Sequence, residues 1–141
     1  MIIDSPLLDK IQHEFLDSRR DARYALPAYT FVLQGLEFFC AKKGEKKHVT
    51  GQELASGLAE FAHRQFGPLA YLVLCTWGVR ITDDFGFIVY NLIEIGAMSK
   101  TENDSVEDFF NVFDLNEYFS TIDYYPVDKK FIRSSILRGA I

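Results

Sequence analysis

The sequence TDDFGFIVYNLIEIG, residues 82–96, predicts a helix that is apolar on nearly every side. Its apolar residues recur at the helical spacing i, i+3, i+4, i+7 and i+8; they are Phe85, Ile88, Val89, Leu92 and Ile93. Thr82 is expected to cap the first turn, where Asp83 and Asp84 favour the positive end of the helix dipole. Gly96 is placed to end the helix in a left-handed conformation. Because such a helix has other elements packed on several sides, we expect it to be the hub of the fold.

Helical patterns also precede this hub helix; they cover residues 5–17, 27–43, 50–67 and 68–77. Thr50 and Glu53 form a capping box, in which each side chain bonds the backbone amide of the other residue. Gly67 followed by Pro68 ends one helix and begins the next, because proline cannot continue a helix but suits its first turn. Gly35 lies in mid-helix, where it weakens the helix, and we interpret it as a point of close helix approach.

The residues after the hub helix indicate a different structure. Residues 97–101 are compatible with a strand, and residues 102–105 are turn formers. Residues 106–113, rich in Phe and Val, then predict a returning strand. Asp114 and Glu117 have the spacing of a cap for a short helix. Helices followed by one hairpin resemble a winged helix.

The prediction is therefore a mainly α single domain of about five helices with a winged-helix-like β-hairpin. Its helical core covers about residues 5–96, the hairpin about 97–113 and a C-terminal tail 120–141. A chain of 141 residues is one domain by the usual expectation and is long enough to bury a core. The tail pattern fits either a helix or a strand over residues 131–137.

Composition excludes several classes of protein. An apolar content of 48% excludes a disordered chain, and the net charge of −5 argues against a general nucleic-acid binder. Cys40 and Cys75 lie in apolar helical runs, which favours reduced thiols over a disulfide. The N-terminus is too charged for a signal peptide, and no apolar run reaches membrane-spanning length. We therefore expect a cytoplasmic protein with no membrane association.

No residue set predicts catalysis, and no cofactor or metal site is expected. The DFG at residues 84–86 lacks the other kinase motifs, and a helix N-terminus accounts for it. The three histidines, His13, His48 and His63, have no ligand spacing to one another or to cysteine. There is no phosphate-binding glycine loop and no nucleophile elbow in the sequence.

The predicted hairpin carries the candidate interaction surface; its residues are Glu107, Asp108, Phe109, Phe110, Phe113 and Asp114. Between Thr101 and Val127 there are seven acidic residues and no Lys or Arg. Because neighbouring strand residues alternate in direction, at least one of the three Phe is expected to remain partly exposed beside acids. Such an aromatic can anchor a basic partner or a second copy of the chain. Alternatively, the basic tail folds back over this face.

Residues 48–118 resemble a family of small conserved hypothetical proteins from Planctomycetes, Verrucomicrobia and related bacteria. The resemblance rests on GQEL at residues 51–54, QFGP at 65–68, DFG-x-IV-x-NL at 84–92 and SKTE-x-DS at 99–105. The run YALPAYTFVLQGLEF, residues 24–38, is similar to the family's second helix. The family has no established activity, so the resemblance implies ancestry and a bacterial cytoplasmic setting, and it carries over no catalytic residues.

Two functions remain open, and a third is disfavoured. The leading hypothesis is a non-enzymatic protein–protein interaction or adaptor module. The alternative is a small-molecule-binding or catalytic domain with a pocket lined by aromatics such as Tyr29, Tyr71 and Tyr90. A DNA-binding regulator is least favoured, because the hub helix and hairpin would present acids to phosphates. A pocket with convergent titratable groups would favour the second function, and a broad exposed apolar patch the first.

Overall fold

Residues 5–43 and 49–122, which the computed structural model describes, form a bundle of short and medium helices. The α-helices are α1 (Ser5–Ile11), α2 (Leu26–Lys43), α3 (Gly51–Phe66), α4 (Ala70–Thr76), α5 (Thr82–Glu94) and α6 (Leu115–Ile122). A π-helical turn, Gln12–Asp17, prolongs α1, and 3-10 turns form at Gly67–Leu69 and Val106–Phe109. The mainly helical domain predicted from the sequence is thus confirmed, and each predicted helix has its counterpart.

Helix α5 is buried as the sequence pattern predicts. Ile88 and Leu92 have no exposed surface, and Glu94 is the one residue of α5 that is largely exposed. The helix packs against α2, α3 and the turn Val106–Phe109. It ends as expected: Gly96 is left-handed with φ +83°, and the amide of Ala97 donates to the Leu92 carbonyl at 2.9 Å. These bonds satisfy the last carbonyls of the helix.

Helices α2 and α3 cross at two glycines, one on each helix. A Cβ on Gly35 would lie 2.5 Å from Cδ2 of Leu58, and a Cβ on Gly57 would lie 2.4 Å from Cδ1 of Phe39. Both distances are too short for real Cβ contacts. Each glycine therefore leaves room for a large side chain of the other helix: Leu58 packs on Gly35, and Phe39 packs on Gly57. The predicted reason for Gly35, close approach of another helix, is confirmed.

The predicted start of α3 is also confirmed. The Glu53 amide donates to Oγ1 of Thr50 at 3.1 Å, and the Thr50 amide donates to Oε1 of Glu53 at 3.2 Å. A similar local cap begins α6, where the Glu117 amide donates to Oδ1 of Asp114 at 2.9 Å. Both helix starts are therefore fixed by side chains close in sequence.

The start of α5 differs from the prediction. Thr82 is the first helical residue rather than the cap, and its side chain is fully buried. Asp84 instead binds the backbone just before the helix: its Oδ2 accepts from the amides of Arg80 at 2.9 Å and Ile81 at 3.2 Å. Its Oδ1 accepts from the Tyr24 hydroxyl at 2.6 Å, which also ties the chain before α2 to α5. Burial and this bond to a carboxylate raise the pKa of Tyr24.

The predicted β-hairpin over residues 97–113 is wrong, since no strand occurs in the described part of the chain. Ser105 and Asp108 form a cap like that of α3, with the Ser105 amide donating to Oδ2 of Asp108 at 3.1 Å, and the backbone turns as a 3-10 helix. Earlier, Asp104 accepts from the Thr101 amide at 2.8 Å and closes another turn. These local bonds outcompete strand pairing, because short polar side chains offer the backbone a nearby partner. Residues 97–114 are called the acidic loop below.

Phe109 locks the acidic loop onto two helices. Phe109 is 3% exposed, and its ring packs in a space that exists because two neighbouring helix residues are glycines. A Cβ on Gly86 would lie 2.7 Å from Cβ of Phe109, and a Cβ on Gly51 would lie 3.1 Å from its Cε2. The loop is therefore packed against α3 and α5 rather than projecting from them.

Two predicted features lie outside the described residues. They are residues 44–48, between the second and third predicted helices, and residues 123–141, which hold the tail pattern at 131–137; the last described helix, α6, ends at Ile122. Among the helices that are described, none combines the length and apolarity needed to cross a membrane.

Candidate functional site

Phe110 is the exposed aromatic of the acidic loop, with 38% of its surface accessible. Two backbone amides beyond it are held by the start of α5. The Asn111 amide donates to Oδ1 of Asp83 at 2.9 Å, and the Val112 amide donates to Oγ1 of Thr82 at 3.1 Å. Asn111 itself is left-handed with φ +48°, a conformation that asparagine tolerates better than most residues. Phe110 is thus presented by a fixed turn.

A second aromatic supports Phe110 from behind. The Phe87 and Phe110 rings have centroids 5.7 Å apart, and the Arg23 guanidinium carbon lies 4.4 Å from the Phe87 centroid. Asp21 pairs with Arg23 at 2.7 Å, so the positive charge there is already matched. The Phe110 ring therefore packs on Phe87, and the Arg23 guanidinium near Phe87 is paired with Asp21.

The structure separates the other predicted surface residues into different environments. Phe109 is buried, and Asp108 lines a cavity described below. Glu107 is exposed and accepts from the Ser105 hydroxyl. Phe113 and Asp114 lie further along the chain: Phe113 is half-buried against Tyr118, and Asp114 is exposed at the start of α6. The six residues therefore do not all belong to one exposed surface, because Phe109 is buried and Asp108 lines the cavity.

A shallow groove of about 460 Å³ adjoins the Phe110 turn. Its walls include Tyr71, Ile81, Asp83, Asn111, Phe113 and Asp114. Ile81 is 52% exposed there, although large apolar side chains are normally buried. The groove thus joins apolar surface to two carboxylates, with Arg80 as the basic residue of its lining. Elsewhere, Leu69 and Leu72 are also exposed, at 59% and 63%.

A second cavity, of about 320 Å³, lies on the inner side of the acidic loop. Asp104 and Asp108 are among its lining residues, as is Tyr90 of α5. Burial raises the pKa of Tyr90, and the nearby charges of Asp104, Asp108 and Glu107 raise it further. The phenol therefore stays protonated at neutral pH. We call this the Tyr90 cavity.

The three tyrosines proposed to line one aromatic pocket lie apart. Tyr90 lines the Tyr90 cavity, and Tyr71 lines the groove and packs on Phe119 with centroids 6.2 Å apart. Tyr29 is fully buried and lines neither of these spaces, and its hydroxyl accepts from Nδ2 of Asn91 at 3.0 Å. Burial raises the pKa of Tyr29.

A polar network that the sequence pattern did not reveal fixes the connector between α1 and α2. Asp21 accepts from Nε of Arg23 at 2.8 Å and from Nδ2 of Asn91 at 2.8 Å. These bonds lower the pKa of Asp21 to about 2, with the bond from Arg23 as the largest cause. The three arginines of this connector, Arg19, Arg20 and Arg23, are exposed. No sequence signal links Asp21 to Asn91, because the two are 70 residues apart.

Groups that carry catalytic or metal chemistry are few in the part of the chain that is described. Within those residues, no three or more His, Cys, Asp and Glu side chains gather in a way that could hold a metal ion. Cys40 and Cys75 are both half-buried free thiols. Comparisons with protein-family models, curated proteins and solved structures give no match to this chain. Function must therefore follow from the chain's own geometry.

Proposed function

We propose that this chain is a non-enzymatic interaction module that binds a basic protein partner at the Phe110 surface, defined as Asp83, Glu107, Phe110 and Asp114. The observation that carries the proposal is the exposed Phe110 on a turn held by two amide bonds to α5. Aromatic anchors that need little ordering on binding are typical of interface hot spots. The adjoining groove, with exposed Ile81, extends the apolar contact.

The charge around Phe110 supports a basic partner. Residues 101–122 contain six acidic residues and no Lys or Arg. Acids on a rim add little binding energy individually, but together they steer an oppositely charged partner and speed association. The same charge disfavours nucleic acid as partner, and the burial of α5 argues against its use as a recognition helix.

Setting and ancestry are part of the same proposal. The two free thiols fit the reducing cytoplasm, where disulfides are rare. The resemblance of residues 48–118 to a bacterial family supports a bacterial origin.

Site-specific photo-crosslinking tests the proposal. The photoreactive residue p-benzoylphenylalanine replaces Phe110 in the full chain, which is expressed in cells of the source organism and irradiated. We expect discrete higher-mass adducts whose other component is a protein with a basic surface. The matched control carries the same residue at Gln34, an exposed position on α2, and should give no such adducts.

Charge variants test whether the acidic residues around Phe110 contribute to partner binding. Glu107→Gln combined with Asp114→Asn should reduce the adduct yield several-fold, and added salt should reduce it in the unmodified background. Equal labelling from positions 110 and 34 would contradict the proposal. So would an adduct confined to one molecule, with position 110 joined to residues 128–138, because the chain's own tail would then cover the surface.

A further inference from the structure

The Tyr90 cavity is lined by four segments of the described chain. Helix α2 supplies Leu36, the start of α3 supplies Leu54, α5 supplies Tyr90 and Ile93, and the acidic loop supplies Met98, each with further neighbours. The volume of about 320 Å³ is at the lower end of the range of roughly 300–1,000 Å³ that ligand pockets occupy. Apolar cavities of about 150 Å³ already admit a benzene ring. The space therefore suits a molecule built on one ring or a short chain.

Three of the lining side chains belong to the buried core. They are Leu54, Val89 and Phe109, and Phe109 is packed against Gly51 and Gly86. Because close-packed side chains are held in place by their neighbours, this part of the cavity keeps its shape without a ligand. Binding to a preformed space costs little ordering of the protein, which favours a ligand of modest size.

Most polar groups of the described lining already serve local structure. Asp104 accepts from the amide of Thr101, and Asp108 accepts from the amide of Ser105. Tyr90 differs, because no described residue forms a hydrogen bond with its hydroxyl. Burial and the nearby acids keep the pKa of this phenol above its ordinary value, so it stays protonated at neutral pH. Its hydroxyl can therefore donate to a carbonyl oxygen or accept from an alcohol.

We propose that the Tyr90 cavity binds a small neutral molecule with a ring-sized apolar body and one oxygen group, with the body against Leu54, Val89 and Ile93 and the oxygen hydrogen-bonded to the Tyr90 hydroxyl. Alcohols, phenols and ketones belong to this class. A neutral ligand is favoured because a charged group would lose its hydration in a largely apolar space. The inference goes beyond the proposed function and does not depend on it, since Phe110 is not part of the described lining.

Four ligands of similar size test the inference on the full chain. NMR titrations of the ¹⁵N-labelled protein use benzyl alcohol, toluene, benzylammonium and benzoate. We expect benzyl alcohol to bind with a Kd of about 1 mM or lower, within reach of a ligand of this size. The two charged compounds should bind at least about tenfold more weakly. Tighter binding of either charged compound, or no binding of the alcohol, would overturn the inference.

A conservative variant tests the hydrogen bond to the ligand. Tyr90→Phe keeps the ring and removes the hydroxyl, so it should weaken benzyl alcohol binding several-fold and leave toluene binding unchanged. Tyr71→Phe removes a hydroxyl from a residue outside the described lining, and it should leave the binding of both ligands unchanged. If Tyr90→Phe weakens both ligands equally, or neither, the assigned hydrogen bond is contradicted.

A filled cavity should exclude the ligands. Ala97 lines the cavity, and Ala97→Leu should weaken the binding of benzyl alcohol and toluene by at least about tenfold. The matched control, Ala41→Leu, adds the same atoms at an exposed position of α2 that is not part of the described lining, and it should bind both ligands as the unmodified protein does. Unchanged binding in the folded Ala97→Leu variant would contradict the assigned position.

The two cysteines report the location without any change to the body of the site. Cys40 lines the cavity and Cys75 on α4 does not, although both are half-buried. In a Cys75→Ser variant, benzyl alcohol should slow the reaction of Cys40 with a thiol reagent. In a Cys40→Ser variant it should not slow the reaction of Cys75. Equal protection of both thiols, or of neither at saturating alcohol, would show that the ligand binds elsewhere.

The same chemistry has two sources, a free small molecule and the tyrosine side chain of another protein. A final titration separates them with p-cresol, which is that side chain as a free molecule, and Nα-acetyl-tyrosine amide, which joins it to a peptide backbone. Binding of the amide as tight as that of p-cresol identifies an inserted tyrosine as the ligand. Binding at least about tenfold weaker identifies a free molecule.

Discussion

The helical core and the acidic loop are stabilised by different interactions. Where α2 crosses α3, glycines receive large side chains, and the contacts are apolar. The acidic loop combines the buried ring of Phe109 with carboxylates and hydroxyls that accept from backbone amides, as Asp83 and Thr82 do for residues 111 and 112. Added volume is costly at the helix crossing, whereas the loop depends on individual polar atoms as well as on packing. The difference lets one chain combine a rigid core with a polar surface segment of defined shape.

The largest expected effect is in the core. Leu92→Ala removes a fully buried side chain of α5 and should lower the free energy of unfolding by about 2–5 kcal/mol. Glu94→Ala, two residues further along, removes an exposed partner of Arg20 and should cost less than about 1 kcal/mol. Urea denaturation measures both. Similar costs at the two positions would mean that α5 is not the buried hub.

The crossing of α2 and α3 can be tested with one substitution, Gly57→Ala, whose effect on stability should depend on whether the Phe39 ring is present. Gly57→Ala should destabilise by about 1–3 kcal/mol, because the new methyl group meets the Phe39 ring. In a Phe39→Ala background the obstacle is gone, and the same change should stabilise by about 0.5–1 kcal/mol through helix propensity. The four proteins form a double-mutant cycle in urea. A destabilising Gly57→Ala in both backgrounds would mean that another neighbour limits the space.

The stability of the acidic loop should depend on one side-chain oxygen, Oγ1 of Thr82. Thr82→Val keeps the shape of the side chain and leaves the Val112 amide without its acceptor, which should cost about 1–3 kcal/mol. Thr82→Ser keeps the hydroxyl and should cost less. Thermal and urea unfolding compare the pair. A valine variant as stable as the serine variant would show that this bond does not hold the loop.

The smallest effect expected is at the connector between α1 and α2. Asp21 has a pKa of about 2 in the folded protein, below its ordinary value of 3.8. Its stabilisation is therefore present above pH ~4 and is lost as the pH falls through about 2. Asp21→Asn should cost about 1–2 kcal/mol at pH 7, an amount reduced by the exposure of Arg23. The gap between the two proteins, followed by urea unfolding, should narrow below pH 4; a constant gap would contradict the paired carboxylate.

Much of the helical core could be predicted because its signals are local. The capping pairs of α3 and α6 join residues three apart, and the apolar spacing of α5 reports its burial directly. The predicted hairpin was wrong because Phe and Val suited a strand, while Ser105 and Asp108 carried the same spacing as the cap of α3. That signal was present in the sequence and decides the structure of the segment.

The candidate sites could be predicted only in part. Acids and aromatics at residues 107–114 were visible in the sequence, but which of them face outward depended on the turn. Phe109 packs against Gly51 of α3 and Gly86 of α5, and the Tyr90 cavity is lined by four separate segments of the chain. Such long-range contacts have no local pattern, so periodicity and caps do not reveal them.

The central claim is that α5 holds the Phe110 turn in one fixed conformation. Native-state hydrogen exchange of the Asn111 and Val112 amides, measured by NMR, tests it most directly. We predict that both amides exchange at least about a hundredfold more slowly than in an unfolded chain, and that Thr82→Val abolishes the protection of Val112 while the amides of α5 remain protected. Exchange of both amides at the rate of an unfolded chain in the native protein would contradict the claim.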